Sequence, residues 1–159
     1  MEQLQVHGHK RTGCSSKNFL GSGQSLITVN RLLTNFLGMP LREKLLRFSS
    51  RKTTAELTGL DKFPQYLTLL FEVDALFCND DRHLNNIAVI EQDGRYDYCP
   101  IFDNGAGLLS NTQVLRMDIE PSVLIAFLQA SPFQTTFTRQ MNTARSLYGP
   151  QLSMPRLGA

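Results

Sequence analysis

The stretch CNDDRHLNN, residues 78–86, sets adjacent aspartates, an arginine, a histidine and asparagines directly behind a long apolar run. A solvated turn satisfies one or two such side chains and has no use for so many. Further on, PIFDNG places another aspartate, Asp103, before a second polar break. Asp81, Asn86 and Asp103 together offer two carboxylates and a carboxamide, which are hard oxygen donors suited to Mg²⁺ or Mn²⁺ rather than zinc. Mg²⁺ keeps several waters and shares its shell with substrate phosphates, so a sparse protein contribution is what a Mg·ATP site needs. A carboxylate left over from metal binding can orient a hydroxyl and accept its proton. The plainer reading of the same residues is a polar turn beside a hairpin.

The intervening chain predicts that these groups meet. Two β-rich runs, 87–90 and 96–102, flank Asp93-Gly94, a dipeptide that favours a tight hairpin. A hairpin folded there returns the chain to its starting level and brings Asp103 beside loop 81–86, within a residue or two of register. On the other side, FPQYLTLLFEVDALF (63–77) is apolar around most of a helical circumference. It reads as a buried rod that delivers the loop to a fixed place. Asp61 is its candidate cap, and Pro64 sits in the first turn, where a missing N–H does no harm.

Upstream, Ser25 is the candidate cap of a helix over 26–37. Leu26, Val29, Leu33 and Phe36 fall on one face, and Gly38 and Pro40 end it. A shorter helix is expected over 41–48 and a single turn over 53–57. Two more helices are expected, one in SVLIAFL (122–128), with Pro121 near its start, and one over 139–147. Residues 1–19 read as an irregular lead-in and 151–159 as a frayed tail. The expected class is α+β, mostly helical, with one hairpin bearing the site.

With 159 residues, 42% of them hydrophobic, the chain can build one domain with a sizeable core. A net charge of +2 is too near balance for a basic nucleic-acid binder, so direct nucleic-acid binding is not expected. The most basic stretch, 41–52, reads as the outer face of a helix. No apolar run reaches a membrane span, and the first residues lack a secretory signal's apolar middle. Three cysteines at unhelpful spacings read as reduced thiols of a cytoplasmic protein. His7, His9 and Cys14 lack a second ligand pair for zinc. The GSG at 21–23 reads as a turn into the next helix rather than a phosphate loop.

Taken together, DRHLNN and PIFDNG resemble the C-terminal domain of HipA-like kinases, a group with bacterial members. They are also similar to the Asp-Arg-His-x-x-Asn loop and late Asp-x-Gly of phosphatidylinositol kinases. The five-residue interval from Asp81 to Asn86 matches the catalytic-loop spacing of protein kinases. SKNFLGSGQSLITVNRLL and SPFQTTFTRQ extend the likeness over most of the chain, with the lobe at 20–150. The resemblance implies a Ser/Thr kinase lobe acting on a protein substrate with Mg²⁺ (or Mn²⁺) and ATP.

In that scheme Asp81 deprotonates the acceptor hydroxyl, while Asn86 and Asp103 hold the metal on the phosphates. His83 braces the loop in a buried, hydrogen-bonded place, and Arg82 contacts phosphate or pairs with a carboxylate. Asp80 is expected to stand aside. The family's N-terminal lobe, with its glycine-rich turn and strand lysine, finds no counterpart here. A separate protein is therefore expected to supply it. The alternative is a non-catalytic remnant that keeps the fold as an interaction module.

Overall fold

The computed structural model describes residues 2–6, 8–13, 17–38, 52–110, 115–116 and 118–153. The expected helix at 41–48 and the basic stretch around it lie almost wholly outside these residues. So do His7, Cys14 and the last six residues.

The central element is a three-stranded antiparallel sheet of β3 (Ser25–Thr28), β4 (Ala88–Gln92) and β5 (Arg95–Tyr98), in the order β3-β4-β5. Gln92 pairs with Arg95, so Asp93 and Gly94 form the whole turn. Both have positive φ, 52° and 76°, the two left-handed positions that a tight primed turn requires. Side chains alternate across the sheet. Ile27, Val89, Tyr96 and Tyr98 join the main core, while Leu26, Ala88 and Ile90 join a smaller cluster with Leu20, Cys99 and Phe102.

The sequence predicts that 26–37 is one helix, and here the structure differs. Ser25–Thr28 pairs with β4 (Leu26 with Ile90, Thr28 with Ala88), and α1 starts only at Val29 (Val29–Leu37). Thr28, not Ser25, is the cap, accepting from the Arg31 amide. Tertiary pairing wins because the β-branched run Ile27-Thr28-Val29 suits an extended strand as well as a helix. Residues 2–13 also depart from an irregular lead-in: β1 (Glu2–Val6) and β2 (His9–Gly13) form an antiparallel hairpin.

Helix α2 (Lys52–Thr58) precedes α3 (Phe63–Phe77), the expected rod. Phe63, Leu67, Leu70 and Phe71 of α3 pack with Val29, Leu32 and Leu33 of α1 and with Ile87 and Val89 beyond the loop. Pro64 lies in the first turn as expected, but Lys62 takes the cap position without a side-chain bond, so Asp61 is not the cap. Helices α4 (Pro121–Phe127) and α5 (Phe137–Tyr148) complete the described elements, and Ala144 of α5 enters the main core. The architecture is α+β. No helix among the described residues is long and apolar enough to cross a membrane.

Candidate functional site

Loop 79–87 leaves the end of α3 and is tied down on two sides. Cys78 ends the helix in a left-handed conformation (φ 54°), and the Asn79 amide still donates to the Asp74 carbonyl, at 3.0 Å. Beyond it, the first amides of α1 donate into the loop: Val29 N to the Ile87 carbonyl at 2.8 Å and Asn30 N to that of Leu84 at 3.1 Å. A helix start has amides without intrahelical acceptors, and here two of them hold the loop. The Asn30 side chain adds a bond to Asn85, at 2.9 Å.

Within the loop, the Asp81 carbonyl accepts from the His83 amide and from Nδ2 of Asn86, both at 2.9 Å. Asn86 is nearly buried, and with its nitrogen so committed its carboxamide oxygen is the end left for a ligand. The Asp81 carboxylate is exposed. His83 is exposed as well, with Nε2 3.8 Å from the Asp81 carboxylate. That overturns the expected buried role for His83, because the loop turns its ring to solvent. Asp80 is half-buried, and burial, with the Asp81 charge adding to it, raises its carboxyl above the ordinary range.

Arg82 is the residue that joins the site. It is fully buried, and its five N–H groups all find acceptors. Nε and Nη2 grip the Asp74 carboxylate, at 3.0 and 2.9 Å. The second N–H of Nη2 goes to the Asn104 side chain. Nη1 donates both to the Asn86 carbonyl, at 3.0 Å, and to the Phe102 carbonyl, at 2.6 Å. A guanidinium committed in this way cannot meet a phosphate in solvent. Of the two roles expected for Arg82, the structure shows the pairing with a carboxylate, so it belongs to the scaffold rather than to the reacting groups.

The same bonds report how the hairpin return is placed. One nitrogen of Arg82 touches the backbone at both Asn86 and Phe102, so the segment bearing Asp103 does arrive against loop 81–86. Asp103 itself is exposed and left-handed (φ 53°), a conformation that aspartate tolerates better than most residues. Beyond it, Gly107 N donates to the Asn104 carbonyl and Leu108 N to the Phe77 carbonyl, which closes the turn onto the end of α3. A Cβ on Gly107 would lie 3.2 Å from the Asn104 carbonyl and 3.3 Å from that of Phe77, so any side chain there would have to push these carbonyls back by a few tenths of an ångström.

Asp74, Asn79 and Asn104 carry no role in the expectations drawn from the sequence. A signal was present: Glu72 and Asp74 are the charged residues of a helix that is otherwise mostly apolar, and such charges need partners when buried. Asp74 is buried and takes Nδ2 of Asn79 at 2.9 Å besides Arg82. Burial raises its carboxyl above the ordinary range, against the pull of these bonds.

By residue type the three side chains offer hard oxygen donors. Asp81 and Asp103 are exposed carboxylates with no Lys or Arg salt bridge among the described residues, and Asn86 adds an amide oxygen. No cluster of three or more His, Cys, Asp or Glu side chains suited to a metal occurs among the described residues. Comparison with known proteins found nothing similar: no family model, no curated protein and no solved structure matches the chain.

Proposed function

We propose that the chain is the catalytic lobe of a HipA-like Ser/Thr kinase, transferring a phosphoryl group from Mg·ATP to a protein hydroxyl. One observation carries the reading. The Asn86 and Phe102 carbonyls share a single Arg82 nitrogen, so the loop with Asp81 and Asn86 lies against the segment with Asp103. In this reading the oxygens of Asp81, Asn86 and Asp103 act together there, the first two at the spacing of a phosphoryl-transfer loop.

In this reading the exposed Asp81 carboxylate takes the proton of the acceptor hydroxyl as its oxygen bonds to the γ-phosphorus and the bond to ADP breaks. Asn86 and Asp103 would hold Mg²⁺, which would neutralise the phosphate charge. Arg82 and Asp74 carry no reacting atom. Catalysis of this kind rests on positioning and electrostatics, so a clamp over the phosphates adds orders of magnitude in rate.

The test is a calorimetric titration of ATP into the chain with and without Mg²⁺, run beside Asp103→Asn. Mg-dependent binding that weakens at least tenfold in Asp103→Asn is the expected result; wild-type protein indifferent to Mg·ATP overturns the reading. A second reading, an interaction module, draws on exposed apolar side chains: Phe127 is 80% exposed and Leu108 72%. Concentration-dependent self-association without nucleotide binding would favour it.

A further inference from the structure

We propose that Asp74 is a positioning residue: by holding Arg82, it sets the distance between Asn86 and the Asp103 segment. The proposal deepens the kinase reading, and its metal-binding arm rests on that reading.

The bonds of Arg82 fall in a telling place. Its acceptors outside Asp74 are the carbonyl of Asn86, the carbonyl of Phe102 and the side chain of Asn104. The last two belong to the immediate neighbours of Asp103, one on either side. Asp103 is thus gripped before and behind while its own carboxylate stays exposed in a left-handed backbone. Asn86 is gripped by its carbonyl while its side chain is turned by the Asp81 carbonyl. The two residues assigned to the metal are therefore located by one planar cation, whose orientation is set by the two-point grip of Asp74.

Energetics point the same way. A buried ion pair seldom stabilises a fold more than well-packed apolar groups of equal volume. Apolar replacements here would orphan two backbone carbonyls and unfasten two segments of the site. Lysine cannot substitute, since an ammonium has three donors and no plane. Asn104 is the most direct sign of a positioning role, because it is an exposed side chain that could solvate itself and instead reaches in to Arg82.

The experiment is amide hydrogen exchange on the full chain, comparing wild type, Asp74→Asn and Asn104→Ala, with Arg145→Ala as a control on α5. In Asp74→Asn the amides of Asn86 and Leu108 should lose protection together, roughly tenfold or more, while the interior of α5 keeps its own. Asn104→Ala should release Gly107 and Leu108 but not Asn86. Unchanged protection at all these amides, or loss spread evenly over the chain in both variants, overturns the proposal. If Asp74→Asn fails to fold, Asn104→Ala decides alone by the same criterion.

Titration with ATP then separates the roles. Both variants should weaken binding in the presence of Mg²⁺ at least tenfold and leave Mg-free binding unchanged; equal losses with and without Mg²⁺ make Asp74 merely structural. Wild type without Mg-dependent binding would refute the kinase reading alone, and the exchange pattern would still decide the positioning role.

Discussion

Helix α3 carries two buried carboxylates, Glu72 and Asp74, and each fastens a different part of the chain. Asp74 holds Arg82, eight residues on and 0% exposed, and through it loop 81–86 and segment 102–104. Glu72 holds Arg145, seventy-three residues on and 36% exposed, at 2.6 Å. It also accepts the backbone amides of Gln151 and Leu152, so the start of the tail expected to fray, 151–159, is tied to the core as far as it is described. The contrast lies in what remains when the arginine is lost. Among the described residues, Glu72 keeps two backbone donors and Asp74 keeps only Asn79, and three acceptors around the site lose their common donor. The first junction anchors a terminus, and the second holds the candidate site in shape.

The sharpest break of this comparison is Arg82→Ala against Arg145→Ala. Stranding Asp74 should cost about 3–5 kcal/mol in urea unfolding. Losing Arg145 should cost about 1.5–3 kcal/mol, because a charged hydrogen bond goes but Glu72 keeps other donors. Equal costs would erase the distinction.

Glu72→Gln should be milder, about 1–2 kcal/mol, and should speed exchange of the Gln151 and Leu152 amides without touching Asn86 or Leu108. If the loop amides respond too, the two junctions act as one unit.

Asp103→Asn should change stability by less than about 0.5 kcal/mol, since the carboxylate is exposed and asparagine accepts the left-handed backbone. A cost above about 1 kcal/mol would mean that this side chain holds the fold.

A last effect lies at high pH and belongs to neither junction. Burial pushes the Cys99 thiol up from 9.0 to about 11. Between those values the unfolded chain releases a proton that the folded chain keeps, so stability is full below about pH 9 and falls as pH rises towards 11. Thermal unfolding across that range should show a shallower fall in Cys99→Ala. Tyr66, also raised by burial, leaves some alkaline loss in place. The same limb should persist in Arg145→Ala.

Much of the site was legible because its signals are local. An apolar rod, a two-residue turn dipeptide and the five-residue interval from Asp81 to Asn86 are properties of short segments. The rod, the turn and the return of Asp103 to the loop all stand in the structure. The reading failed where local signals were ambiguous. The run at 25–29 suits strand and helix alike, and only β4 decides between them. The exposure of His83 likewise follows from how the loop is held from behind by α1 and Arg82.

Local sequence already limits what the site offers to oxygen donors, two carboxylates and a carboxamide, delivered by a rigid helix and returned by a hairpin. Side-chain type and short-range backbone preference suffice for that. Which of these polar residues face water and which serve the scaffold depends on the packed fold. Asp81, Arg82 and His83 are neighbours in one polar run, yet Arg82 is buried and the other two face water. The reason is the partner set. Asp74, Phe102 and Asn104 come from a helix and a hairpin return that meet only when the core closes, and a guanidinium goes where its five donors can be satisfied together.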